Sequence, residues 1–316
     1  MTTTVLVRGA ETRIAPSAPR RRGPGPLERA RARAGMVLVA PAVLLVLVFF
    51  IAPTLLMFWM SLNNWPLLGA AQRFVGGQNY AEAVSDTSFG ESLLFTLKYT
   101  LLITPIQLVL GYALAVLVRS RFRGVAFFRT SFFLPVVIGF ASGAYIFLIL
   151  VQPESGLFDR LLALVGVQGT PWLTDPDFAL ATVILMITWK TLGTTVILLM
   201  VGMQAVPDEV GEAARMDGAS WLQREIFVTL PLLRSSIALV LILTLTGSFL
   251  AFDQFFVMTH GGPNQSTVTV VMWIYTSAFV RYRLGYSAAL SIVLLFLLTA
   301  FSIIQIRALR ERTESA

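Results

Sequence analysis

Six long apolar stretches, separated by short polar connections, organise the chain. They lie near 36–61, 93–118, 125–151, 179–203, 237–258 and 285–307. A bilayer core takes about 20 apolar residues as helix. The pattern therefore predicts an all-α integral membrane protein with six transmembrane helices. Residues 1–34, rich in Arg, Pro and Ala, read as a disordered basic tail, residues 35–310 as the transmembrane domain and residues 311–316 as a C-terminal tail. No connection is long enough for a soluble domain. The first stretch follows a basic segment as a secretory signal does, but it is too long for a signal h-region and is read as an uncleaved span.

Pro53, Pro105 and Pro135 interrupt spans. Such prolines are tolerated where neighbouring helices re-satisfy the freed carbonyls, and they mark kinks. Gly139 and Gly143 have the four-residue spacing that permits close helix approach.

Composition agrees with the pattern. Charged residues make up 13% of the chain and hydrophobic ones 56%, about half the charge density of a soluble domain. The net charge of +7 does not indicate nucleic acid, because the arginines fall beside spans. With the N-terminus inside, one face carries Arg8, Arg13, Arg20, Arg21, Arg22, Arg29, Arg31, Arg33, Arg119, Arg121, Arg123, Arg129, Arg215, Arg224, Arg234, Arg307, Arg310 and Arg312. The other carries only Arg73, Arg160, Arg281 and Arg283. The positive-inside bias then puts both termini in the cytoplasm. There is no cysteine, and His260 is the one histidine. Thiolate chemistry is excluded and no metal site is expected.

The connection between the fourth and fifth spans, residues 205–231, differs from the rest. Pro207 suits a first helical position, with Asp208 and Glu209 at the positive end of the helix dipole. Gly218 is placed to end that helix in a left-handed conformation. Ser220 and Gln223 form a capping box that opens a second short helix. A structured loop of this kind either docks a partner or merely connects spans, and the physics alone leaves both open.

Glu212-Ala213-Ala214, Gly218 and Leu230-Pro231 resemble the EAA signature of ABC-importer permeases, with Val228 where the signature has Ile. The stretches Phe74–Tyr80, Phe128–Pro135, Pro153–Gly156 and Gly261–Pro263 are similar to the carbohydrate-uptake branch, which includes maltose, lactose and glycerol-3-phosphate permeases. The resemblance implies a permease subunit of the bacterial or archaeal plasma membrane. Its partners would be a homologous second permease, two ATPase subunits, an extracytoplasmic solute-binding protein and the surrounding membrane lipid. It also implies a coupling helix between spans four and five, where Glu212, Ala213, Ala214, Asp217, Gly218 and Ala219 meet the ATPase. Asp217 has an equal alternative role, bracing the Gly218 turn.

The chain is not expected to hydrolyse ATP. A phosphate-binding loop needs a Gly-Lys-Ser/Thr sequence, and neither Lys98 nor Lys190 has that context. ATP and Mg would be bound by the partner ATPases, with no cofactor in this chain and no catalytic residue set. Ionisable and polar residues inside spans are the candidates for a solute path. They are Lys190, Trp189, Asp253, Gln254, Tyr99, Gln107 and Tyr145. For Lys190 and Asp253 the alternative is a packed pair or a cavity water site. The implied solute is a sugar, oligosaccharide or glycerol-phosphate compound. Importers of polyamines or oxyanions share the loop signature, and a self-sufficient secondary carrier would normally show internal repeats, which are not evident here.

Overall fold

A computed structural model describes residues 26–69, 71–119 and 124–314. Residues 1–25 of the expected tail lie outside the described residues. So do Arg8, Arg13, Arg20, Arg21, Arg22, Arg121 and Arg123 of the charge count.

The chain divides into two compact units at Leu55–Leu56. The first holds α1 (Pro26–Val46), a π-helical turn (Leu47–Ile51) and the start of α2 (Ala52–Ser61). The disordered tail expected to run to residue 34 is corrected here, since residues 26–34 are helical. Pro53 has no N–H to offer the carbonyl four residues back. The chain widens by one residue just before it, with Ala52 N–H donating to the Leu47 carbonyl, and Thr54 Oγ1 donates to the Phe50 carbonyl at 2.6 Å. Apolar side chains face outward all around this unit, including Phe49 and Phe50.

The second unit begins with the end of α2 and a small hairpin, β1 (Asn63–Asn64) pairing antiparallel with β2 (Arg73–Phe74). Then follow α3 (Gln78–Ser85), α4 (Thr87–Arg119), α5 (Val125–Val137), α6 (Phe140–Leu150), α7 (Leu157–Ala163) and α8 (Pro176–Gln204). The remainder is α9 (Asp208–Met216), α10 (Trp221–Arg224), α11 (Leu230–Leu232), α12 (Arg234–Phe249), α13 (Asp253–Met258), α14 (Val270–Tyr275) and α15 (Leu284–Glu314).

Four described helices are long and apolar enough to cross a membrane: Gly35–Ser61, Thr87–Arg119, Pro176–Gln204 and Leu284–Arg307. Two bent pairs raise the number to as many as six: Ala126–Val137 with Phe140–Leu150, bent by 107°, and Trp221–Leu232 with Arg234–Phe249, bent by 71°. Two expected spans are thereby corrected. The stretch 125–151 is broken after Val137, where Pro135 and Gly139 flank the bend. The stretch 237–258 stops at Phe249, and a non-helical step at 250–252 leads into α13. At the C-terminus α15 runs on to Glu314, so most of the expected tail 311–316 is helical.

At the bend after Val137 and at the step at 250–252, a side chain from another element takes up a released carbonyl. Lys190 of α8 donates from Nζ to the Val136 carbonyl at 3.1 Å, with its ammonium 4.7 Å from the centre of the Phe140 ring. Thr269 Oγ1 donates to the Ala251 carbonyl at 2.8 Å. The α5–α8 approach is close enough that a Cβ on Gly193 would meet the Phe132 carbonyl, and one on Gly143 would lie 2.9 Å from Met186 Cε. Gly143 thus acts as its spacing predicts. A Cβ on Gly139 would meet only Ser142 Oγ, at 3.9 Å.

Tyr99, Ile103, Phe147, Val183, Met186 and Phe255 form the central core between α4, α6, α8 and α13. Ala115, Val196, Leu199, Met203, Leu233 and Val240 continue it toward the 205–231 loop. At the opposite end, polar residues fix the connections. Asn79 donates to the Ser61 and Asn63 carbonyls at 2.7 and 3.0 Å. Arg283 donates to both oxygens of Glu82 at 2.6 Å. Asp86 caps α4 through the N–H groups of Ser88 and Phe89 and also accepts from Tyr286 at 2.6 Å and Trp273 at 3.0 Å.

The Arg283 guanidinium holds the Glu82 carboxyl below its ordinary value. Burial pushes the Asp86 carboxyl up, but the hydrogen bonds from Tyr286, Trp273, Phe89 and Ser88 outweigh it and leave the group lowered. Both carboxylates therefore stabilise the fold above their unfolded pKa values, and that contribution is lost as the pH falls through the lower, folded ones. Melting temperature followed by Trp fluorescence is expected to drop as the pH falls below about 4, with a shallower drop in Asp86→Asn. Gly193→Ala is expected to lower stability by about 1–3 kcal/mol through overpacking. Gly90→Ala, inside α4 with open space for its Cβ, is expected to hold or slightly raise stability in the same melting experiment and serves as the contrast.

Candidate functional site

The helix breaks sit beside a cavity of about 200 Å³ in the second unit. Tyr99, Ile103 and Gln107 reach it from α4, four residues apart along one stripe. Thr191, Thr194 and Thr195 face it from α8, and Thr244, Gly247 and Ser248 from α12. Phe140, the first residue of α6, and Gln254, the second of α13, complete the lining, so each broken span contributes a residue just past its break.

The polar groups are held in a network. Gln107 Nε2 donates to Thr191 Oγ1 at 2.6 Å, and its Oε1 accepts from Thr195 Oγ1 at 3.4 Å. Tyr99 is buried with its ring edge-on to Phe255 at 5.0 Å, and its hydroxyl meets Gln254 and Ser248. Amides and hydroxyls can each donate and accept. Among the described residues, no charged side chain lines this cavity.

Of the residues proposed from sequence for a solute path, the structure brings Tyr99, Gln107 and Gln254 together. Lys190 is buried but turned to the Val136 carbonyl, and Trp189 packs on Phe147 at 5.5 Å. Neither lines the cavity. Asp253 is exposed at the start of α13, and Tyr145 is 61% exposed. Sequence reading passed over Thr191, Thr194, Thr195, Thr244 and Ser248. The available signal was their helical spacing: 191 and 195, and 244 and 248, each lie four apart on apolar helices, where a polar stripe faces protein or a cavity.

The second feature is the 205–231 loop. α9 ends in a Schellman turn: Gly218, at φ +80°, donates to the Arg215 carbonyl at 3.1 Å and Ala219 N–H to the Ala214 carbonyl at 3.0 Å. Both capping-box bonds form, with Gln223 Oε1 accepting from Ser220 N–H at 2.8 Å and Ser220 Oγ from Gln223 N–H at 3.4 Å. Pro207 occupies the cap position, one residue before the expected first helical position. The second helix widens by one residue over Glu225–Thr229, just before Pro231, as the first unit does before Pro53.

Glu212, Ala213, Asp217 and Gly218 are exposed, and Ala214 and Ala219 half-buried. The Asp217 main chain caps α9, its N–H donating to the Ala213 carbonyl at 3.0 Å. Met216 is 88% exposed and Phe227 73%, with Trp221 and Leu222 also open. A compact loop thus exposes the carboxylates of Glu209, Glu212 and Asp217 beside small side chains and apolar flanks.

Residues 88–314 match the family described as binding-protein-dependent transport system inner membrane component. The trehalose/maltose transport system permease protein MalF of Thermococcus litoralis is 30% identical over 91% of this chain and 97% of its own length. The multiple sugar-binding transport system permease protein MsmF of Streptococcus mutans is 34% identical over 85% of this chain and 92% of its own. A crystal structure of a bacterial alginate ABC transporter, in complex with an alginate pentasaccharide-bound periplasmic protein, contains a chain of the same fold. It has a TM-score of 0.77 and 19% identity, covering 88% of this chain and 94% of that one.

Replacing Gly218 tests the rigidity of the loop. Gly218→Val forces a β-branched residue into the left-handed region and is expected to destabilise the turn by about 1–2 kcal/mol. Gly218→Asn should cost less. Hydrogen exchange at the amides of 214–224 in the intact protein is expected to quicken in that order.

Proposed function

The chain belongs to the family of binding-protein-dependent transport system inner membrane components, as a permease of an ABC importer, and we propose that its solute is a sugar or oligosaccharide. The observation that carries this reading is the cavity between α4, α8 and α12, largely apolar in surface, with hydroxyl and amide groups set into it and no charge among its described lining residues. A neutral polyhydroxyl compound suits such a lining. Gln107, Gln254, Tyr99, Thr194 and Thr244 can exchange hydrogen bonds with hydroxyls, and Phe140 offers an aromatic wall. A polyamine would call for carboxylates and an oxyanion for cations. A glycerol-phosphate compound is the second reading in this family, and it would need its cationic partner from elsewhere in the assembly.

In this proposal six spans place both termini in the cytoplasm of a bacterial or archaeal cell, with the plasma membrane's lipid around them. The 205–231 loop is then cytoplasmic and α9 is its coupling helix. Glu212, Ala213, Ala214, Asp217, Gly218 and Ala219 would seat in an ATPase subunit. Two such subunits bind ATP and Mg, this chain carrying no cofactor. A second, homologous permease completes the path, and an extracytoplasmic binding protein delivers the solute. The alginate transporter of the same fold is held in complex with a solute-bound periplasmic protein, which supports such a partner.

Movement of α9 would reach the cavity through α10 and α12, which are continuous with it in the chain. Phe140 follows the bend at 138–139 and Gln254 the step at 250–252, so a change of angle there alters the lining without unwinding a straight span. Alternating access is thereby a matter of re-angling segments whose carbonyls are already held.

The test is the reconstituted importer, with its partner permease, ATPases and binding protein. Gln107→Ala and Gln254→Ala are expected to lower sugar uptake about tenfold or more, the loss of hydrogen bonds worth at least about 1.4 kcal/mol, with assembly intact. Glu212→Ala should weaken ATPase docking or solute-stimulated ATPase activity. Undiminished uptake in both cavity variants would sink the solute assignment, and normal docking and stimulation in Glu212→Ala would sink the coupling role.

A further inference from the structure

A second cavity, of about 310 Å³, lies under the 205–231 loop. Three arginines from three helices line it: Arg119 at the end of α4, Arg215 in the last turn of α9 and Arg224 at the end of α10. Arg119 and Arg215 stand at helix C-termini, where a cation offsets the dipole, whereas Arg224 stands in the first turn of the helix that runs on to Leu232, where it does not. The dipole thus accounts for two of the three, but not for their convergence on one space.

The charges there are not balanced. Glu225 is the one carboxylate among the described lining residues, and Tyr112 donates its hydroxyl proton to it at 2.5 Å. Arg215 directs its Nε to the Gly211 carbonyl of its own helix at 3.5 Å. The Nε of Arg224 is shielded from water and has no hydrogen-bond partner. A buried donor left without an acceptor is costly, and an anion entering this space would relieve that cost. Guanidinium forks match the spacing of phosphate oxygens and bind them in pairs.

We propose that this cavity binds the phosphate group of an anionic ligand, held by Arg224 with Arg215 and Arg119. The inference concerns the coupling loop and is independent of which solute is carried. The phosphate can come from an anionic phospholipid headgroup or from a soluble phosphorylated compound, and the guanidinium chemistry is the same. An anion seated there bridges α4, α9 and α10, pinning the loop to the helices beneath it. The loop, already stiff within itself, would then be locked to the helices beneath it only when the site is filled.

Trp221 lines the same cavity and reports on it. The experiment takes the assembled importer and reads the Trp221 fluorescence as the difference between the parent protein and Trp221→Phe. One arm titrates phosphatidylglycerol into phosphatidylcholine nanodiscs, and the other titrates inorganic phosphate in phosphatidylcholine alone. A saturable change is expected in one arm, the lipid arm identifying a headgroup and the phosphate arm a soluble compound. Arg224→Gln is expected to weaken the response about tenfold or more, as loss of a charge-assisted pair requires, and Glu225→Gln to strengthen it. A purely structural role would shift both variants the same way, and that result overturns the proposal. So does a flat response in both arms, including one arising because an ATPase side chain fills the cavity. If Arg224→Gln fails to assemble, the exposed Arg215→Gln substitutes for it, and an unchanged response there is equally fatal.

Discussion

A backbone carbonyl released inside a hydrocarbon layer has no water to turn to, and this constraint governs where the helices of this protein can break. Two of the breaks show how it is met. The bend after Val137 is held by Lys190 and the step at 250–252 by Thr269. A lysine buried among apolar helices is ordinarily expensive. Here its ammonium meets a helix-end carbonyl, where the dipole is negative, and the face of Phe140. The most conspicuous charge in the spans thus belongs to the scaffold. Because Lys190 is used up in this way, the neighbouring cavity stays neutral.

That neutrality connects scaffold to function. The cavity is built on three helices, with α4 and α8 so close that a Cβ on Gly111 would strike Thr195. Gln107 is fixed by threonines on the facing helix, which orients its amide before any solute arrives. Preorganised hydrogen-bonding groups lose less entropy on binding than mobile ones. Phe140 and Gln254, each beside a break, complete the lining.

The loop at 205–231 applies the opposite design. A Schellman turn, a capping box and a proline-adjusted second helix leave little freedom, while the outer face is left open. Rigidity in the connection and exposure at its surface are what a loop needs to carry displacement from a partner to the bundle. The arginine-lined space beneath it adds a point at which the loop's hold on the bundle depends on charge.

Much of this was legible in the sequence because it depends on local spacing. Apolar runs located the long helices of 87–119, 176–204 and 284–307, and the Gly218 turn and the Ser220–Gln223 box followed from residues within four positions of one another. The stripe of Tyr99 and Gln107 was visible for the same reason. The breaks in the third and fifth apolar stretches were not, since hydropathy is blind to direction and a bent pair is as apolar as a straight span. Nor could the sequence place Lys190, whose partner at Val136 is 54 positions away, or gather Thr191, Thr244 and Gln254 onto one cavity. Asp253 and Tyr145 carry the right chemistry in the sequence and face away from that cavity in the fold. The sequence by itself determined a helical membrane protein with a structured, partner-ready loop. Only the tertiary structure decided which polar groups are spent holding broken helices and which line the cavity, because that depends on contacts between helices distant in the chain.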